Sequence, residues 1–135
     1  MTFLVDTNVL SEGMKPRPEP AVLDWLTAYE EDIVIDSVIL GEVRYGVLRL
    51  PQGRKRREME AWFEIGVRRI VCLPWEAATA LRWASLLAEL SRTGREMAIK
   101  DSMIAATALI HRLTLVTRNE RDFQYSGLRV LNPFE

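Results

Sequence analysis

A single cysteine, Cys72, stands in a chain of 135 residues. An internal disulfide is therefore excluded, and a reducing compartment suits the chain best. Cys72 lies in the apolar run "RIVCL" and reads as a small buried hydrophobe. Histidine is equally scarce. His111, the only one, falls near the end of a helical stretch, where it suits the dipole, and no catalytic role is assigned to it. Excess charge of one sign is missing too: 18 Lys and Arg face 19 Asp and Glu, for a net charge of −1. Bulk charge thus does not mark a nucleic-acid binder, although a local basic patch can coexist with an acidic pocket. Long apolar runs are absent. "MIAATALI" is far shorter than the ~20 residues a membrane span needs, and the amino terminus has no basic region before its apolar run stops at Asp6. A cytoplasmic protein without membrane contact is expected. Repeats, low-complexity tracts and linkers are absent as well, so residues 1–135 are read as one domain with one core.

What is present is a regular alternation of two kinds of segment. Strand-like apolar runs fall at "FLV" (3–5), "DIVI" (32–35), "RIVCL" (69–73), "LTLVT" (113–117) and "LRVL" (128–131). Between them the spacing predicts helices. The first runs from Thr7 to about Met14 and is broken by "KPRPEP" (15–20), whose three prolines cannot continue a helix. Others cover 21–29, 37–50 with Asp36 as N-cap and Pro51 as stop, 53–66, roughly 75–92, and 100–112. Alternating strands and helices predict an α/β domain, a mostly parallel sheet with helices on both faces. Helix N-termini and strand C-termini then share one edge, where ligands bind.

Acidic residues gather on that edge. Asp6 ends the first strand, and Asp101 opens the helix that feeds the fourth. "TRNERDF" (117–123), after the fourth strand, carries Asn119 and Asp122. Glu42 lies about a turn and a half into the helix after the second strand, on a face with Val38, Tyr45 and Arg49. Each has a plainer reading: Asp6 as a helix cap, Asp101 as a residue favoured by the helix dipole, Asp122 as a turn cap. Glu42, set in an apolar stretch, is the hardest to explain so, because inward carboxylates are rare unless paired or bound to metal. The reading rests on the coincidence of all four. Four carboxylates with no matching Lys or Arg repel one another, and a hard divalent cation such as Mg²⁺ resolves the repulsion. Thr7 and Thr117 are placed to orient the ligating carboxylates, with Asn8 beside them.

Together the stretches "FLVDTNVLSE", "LGEVRYGV" (40–47), "DSMIAATALIHRLTLVTRN" (101–119), "RDF" (121–123) and "LRVLNPFE" resemble a PIN-domain ribonuclease, the toxin of a VapBC-type or FitAB-like toxin–antitoxin pair. The resemblance spans essentially the whole chain. It implies a five-stranded parallel sheet of order 3-2-1-4-5, a Mg²⁺ or Mn²⁺ site, endonucleolytic cleavage of RNA (tRNA, rRNA or mRNA) and a cognate antitoxin. It also implies a homodimer or a higher assembly with the antitoxin, through which alone DNA is met. Carried over by position, the acidic set is Asp6, Glu42, Asp101 and Asp122, with Asn119 where many relatives hold a further polar or acidic residue. Two departures stand out. Asp36 and Ile39 occupy positions where many relatives have a hydroxyl residue, and Asp36 is read as a helix cap. Arg112 stands where relatives often have Gly, which bears on a helix end and not on the chemistry.

The basic run "GRKRRE" (53–58), with Arg54 and Lys55, is read as a weak candidate to track an RNA backbone, against a solvated helix start with Trp62 and Phe63 packed beneath. Arg118 and Arg121 lie beside the acidic residues, where they suit a phosphate. Two other readings are weighed. A phosphatase that ends its first strand in Asp wants a second Asp two residues on, where Asn8 stands; a receiver wants an Asp ending the third strand, and "RIVCLP" has none. A non-catalytic binding module of the same fold is opposed by the intact acidic set.

Overall fold

A computed structural model describes residues 1–135. The most apolar stretches of the chain form its centre. Strand β1 (Phe3–Val5) is buried along its length, with Leu4 and Val5 wholly inaccessible. It is flanked in parallel by β2 (Ile33–Asp36) and β4 (Thr114–Val116), so that Leu4 pairs with Val34 on one side and Leu115 on the other. Outside these lie β3 (Val71–Leu73) and β5 (Val130–Leu131), which completes the expected order 3-2-1-4-5. Apart from Asp36 at the end of β2 and Thr114 at the start of β4 the strands are apolar, as befits a sheet covered by helices on both faces.

Between β1 and β2 lie α1 (Thr7–Leu10) and α2 (Pro20–Ala28). Helices α3 (Ser37–Leu48) and α4 (Arg54–Ile65) lead to β3, and α5 (Ala77–Arg92) and α6 (Ile99–His111) to β4. Helix α6 is the most deeply set. Its Ser102, Ala105, Ala106 and Ala108 are at most 1% exposed, and these small side chains let the helix lie close to its neighbours. Trp83 of α5 donates its indole N–H to Ser102 Oγ at 2.8 Å, which ties the two helices together. No helix is long and apolar enough to cross a membrane.

Several boundaries differ from the periodicity. The first helix stops at Leu10 and tightens into a 3₁₀ turn over Ser11–Met14. Glu12 explains the change of course. It is 3% exposed, accepts the Glu19 N–H at 2.9 Å and pairs with Lys15 at 2.9 Å. It thereby staples both ends of the proline-rich segment, and the Glu19 N–H, with Lys15, holds its carboxyl below the usual range. Residues 67–69 form a further 3₁₀ turn, so β3 begins only at Val71. As an edge strand β3 leaves Val71 62% exposed and Cys72 half-buried, which corrects the expectation of a buried cysteine; partial burial still raises its thiol pKa. Arg112 ends α6 in the left-handed region, φ 55°, while the Leu113 N–H donates to Ala108 O at 2.8 Å. A glycine adopts this backbone without strain, and here an arginine bears it.

Candidate active site

Because every crossover is parallel, Asp6, Asp36 and Thr117 all emerge at one edge of the sheet, beside the N-terminal turns of α3 and α6. Asp6 is 6% exposed and fully braced. Its N–H still donates to Val116 O at 2.9 Å. Its Oδ1 accepts the Thr7 N–H at 2.8 Å, and its Oδ2 accepts the Thr117 hydroxyl at 2.8 Å. Burial raises the Asp6 pKa, the two hydrogen bonds oppose that rise, and the charge of Glu42 adds to it. Asn8 Oδ1 accepts the Arg118 N–H at 3.1 Å, and Thr117 Oγ1 accepts the Asn119 N–H at 3.1 Å. The polar residues after β1 and β4 thus lock the two strand ends together around one carboxylate.

Glu42 reaches the same place from α3. Its Oε1 accepts the Thr7 hydroxyl, and its Oε2 is paired with the Lys100 ammonium. Asp101, in the first turn of α6, lines the same open cleft of about 600 Å³ as Asp6, Glu42 and Lys100. Its pKa is pushed up to about 6, first by burial, then by the charges of Asp6, Asp122 and Glu42, with Lys100 opposing. Asp122 stands apart from the other three. It is exposed, in the 3₁₀ turn Glu120–Phe123, and lines a neighbouring depression with Arg121 and Asn132, while its charge still reaches Asp101.

Lys100 overturns one expectation. The carboxylates do not face one another without a cation, since the residue preceding Asp101 supplies one, and its own pKa is raised first by the hydrogen bond to Glu42. The adjacent "KD" was the available signal. The remaining candidates divide. Asn119 lines the cleft and its neighbouring depression. Arg118 lays its guanidinium over the Phe134 ring, 4.7 Å from the centroid. Arg54 and Lys55 do not line the cleft: Arg54 pairs with Glu58 at 3.1 Å, and Lys55 donates to Met14 O at 3.0 Å. Asp36 caps α3 as expected, accepting the Ile39 N–H at 2.8 Å and the Thr107 hydroxyl at 2.6 Å. At 2% exposure it is more enclosed than Asp6, burial raises its pKa, and it does not line the cleft.

The donor set suits a hard divalent cation. No three acidic side chains are set to grip one ion as they stand, because Glu42 is turned to Lys100 and Asp122 lies aside. Mg²⁺, however, is commonly held by one or two carboxylates and its own waters. Asp6 and Asp101 meet that need with hard oxygen donors in a partly desolvated cleft whose mutual repulsion is already visible at Asp101.

The PIN domain model matches residues 3–126, from the first strand to the turn beyond Asp122. This chain belongs to the PIN-domain family. It is 32% identical to the VapC ribonuclease Y4jK of Sinorhizobium fredii and 33% identical to the toxin FitB of Neisseria gonorrhoeae, in each case over 98% of both chains. Its fold superposes with a TM-score of 0.92 on a chain of the structure of FitAB bound to an IR36 DNA fragment, at 31% identity, covering 99% of this PIN domain and 96% of that chain. PIN-domain ribonucleases as a class depend on divalent metal, which accords with the carboxylate oxygens of Asp6, Glu42 and Asp101 in one cleft.

Proposed function

We propose that this PIN domain is the toxin of a type II toxin–antitoxin pair and a metal-dependent endoribonuclease of the cytoplasm. The observation that carries this reading is the convergence of Asp6, Glu42 and Asp101 on one open cleft, with the Asp101 pKa at about 6. Asp6 and Asp101 would hold Mg²⁺ (Mn²⁺ is the alternative), joined by Glu42 once it leaves Lys100, with Asp122 at longer reach. Such an ion, when bound, polarises a phosphodiester and lowers the pKa of a coordinated water.

The chain's own residues do the rest. Thr117 and the Thr7 N–H fix both oxygens of Asp6, so its carboxylate keeps one orientation. Asn8 holds the backbone of Arg118, which keeps the segment after β4 against the cleft. The raised pKa of Asp101 reflects a crowding of negative charge that a bound cation would relieve. Lys100 neutralises Glu42 in the cleft, and its ammonium suits the phosphate backbone of an RNA.

A cognate antitoxin is the expected partner, because the similar chain in the FitAB structure is part of such a complex, and it is the complex that is bound to the DNA fragment. A homodimer of the toxin is part of the same reading. The test is incubation of purified protein with total RNA in Mg²⁺, in Mn²⁺ and in EDTA. Cleavage in either metal that EDTA abolishes supports the reading. RNA left intact in both metals by well-folded, antitoxin-free protein overturns it.

A further inference from the structure

Tyr45 sits one turn after Glu42 on α3, lines the same cleft, and is 63% exposed. Of the two exposed aromatic rings, Tyr29 and Tyr45, only Tyr45 lines the cleft. Arg49, one turn further and also on the cleft, holds its guanidinium carbon 5.4 Å from the centroid of the Tyr45 ring. Between them lies Gly46, where an added Cβ would meet nothing within 4 Å. Residues 42, 45, 46 and 49 share one helical face. A carboxylate, an aromatic ring, an open slot and a cation therefore follow one another along α3.

We propose that Tyr45, Gly46 and Arg49 form a nucleobase subsite, in which a base next to the scissile phosphate stacks on the Tyr45 ring over the Gly46 slot. The inference rests on the ribonuclease reading and adds where one base of the substrate sits. A planar base fits a slot that lacks a side chain, and a π-face is what an exposed tyrosine ring offers it. Stacking is tolerant of base identity because every base has such a face. Arg49 strengthens the site twice. It orders the ring before binding, and it carries positive charge to the mouth of a cleft whose floor is acidic. Nearness to Asp6 and Asp101 distinguishes this ring from an aromatic exposed elsewhere on the surface, since a base held here keeps its own phosphate at the carboxylates.

The test separates the subsite from the function on which it rests. Binding of a fluorescein-labelled, randomised single-stranded RNA decamer is followed by anisotropy at low salt in EDTA, where no metal-dependent cleavage occurs. Tyr45→Ala is expected to weaken binding by about five- to 150-fold, the range that loss of one stacked base corresponds to. Tyr45→Phe, which keeps the ring, should bind like wild type. Gly46→Leu fills the slot and should weaken binding comparably, whereas Gly46→Ala should fold at least as stably as wild type, because alanine is the better helix former. A decamer series with 2-aminopurine at each position in turn should show quenching on binding with wild type and Tyr45→Phe, and markedly less with Tyr45→Ala at equal saturation. Equal binding by wild type and Tyr45→Ala overturns the subsite. So does a Tyr45→Phe loss as large as that of Tyr45→Ala, or a change confined to oligomeric state, which would mark the face as a contact between copies. Wild-type protein that neither binds nor cleaves RNA overturns the ribonuclease reading, and this subsite with it.

Discussion

Thr107→Val deletes one hydroxyl from a site where its loss can be isolated. Thr107 and Asp36 are each 2% exposed, and the hydroxyl donates to Asp36 Oδ2 at 2.6 Å. Valine has nearly the same shape, so no cavity opens. What is lost is a hydrogen bond to a buried carboxylate, with about 1.5–3 kcal/mol as the expected cost. A domain of this length has an unfolding entropy of about 0.28 kcal/mol/K, so each kcal/mol corresponds to about 3.5 °C and the melting temperature should fall by roughly 5–10 °C. The effect has a definite pH dependence. Burial raises the folded-state pKa of Asp36, and the Thr107 hydrogen bond opposes that rise. A raised carboxylate pKa is a penalty that is absent below the unfolded value, grows as pH rises through the folded value, and is complete above it. Thr107→Val enlarges the penalty, so its deficit should be greatest at neutral pH and shrink on acidification. Asp36→Asn is the companion. The amide oxygen still accepts the Ile39 N–H, and the amide nitrogen donates to Thr107, whose hydroxyl turns to Met103 O, already at 3.4 Å. This variant should melt within a few degrees of wild type and cleave RNA normally. Differential scanning calorimetry between pH 5 and 8, with a cleavage assay, decides the matter. A Thr107→Val deficit under 2 °C at neutral pH refutes the energetic reasoning, and a well-folded Asp36→Asn protein without activity refutes the assignment of Asp36 to structure.

Asp101→Asn should abolish metal-dependent cleavage and remove a pH dependence: in EDTA, wild-type melting temperature should decline as pH rises through about 6, where the raised Asp101 pKa makes its charge unfavourable, and the variant should lack that step. Equal pH profiles for the two proteins would count against it. Lys100→Met should bind Mn²⁺ about two- to fivefold more tightly by titration calorimetry, since it frees Glu42 from a half-exposed ion pair of modest strength; weaker binding would make Lys100 a structural support of the site. Arg112→Gly should raise the melting temperature by about 2–4 °C, because glycine relieves the left-handed backbone at a cost in unfolded-state entropy smaller than the strain removed. A lower melting temperature would show that the arginine side chain contributes more than the strain costs.

Local chemistry determined the outline of this protein. Apolar triplets and quartets separated by 3.6-periodic segments admit few arrangements other than a parallel sheet covered by helices, and the parallel topology alone sends Asp6, Asp101 and the residues after β4 to one edge. Asp36 as a cap and Arg112 at a helix end were legible for the same reason, since each depends on backbone within a few residues. Tertiary structure decided what depends on residues distant in the chain. The turn at Ser11 is imposed by Glu12 reaching Glu19 across the prolines, which no helical period encodes. The strand at Val71 is an edge and leaves Cys72 half-buried, because edge or centre is a matter of which strands pair. Asp122 and Glu42 were carried into one acidic set, Glu42 the harder to explain otherwise, yet only packing shows that Glu42 is held inside the cleft by Thr7 and Lys100 while Asp122 stands on an exposed turn outside it. Side-chain reach and partner choice are three-dimensional quantities: spacing along the chain brings a carboxylate to the edge of a sheet, and only packing determines which way it turns and which cation it meets.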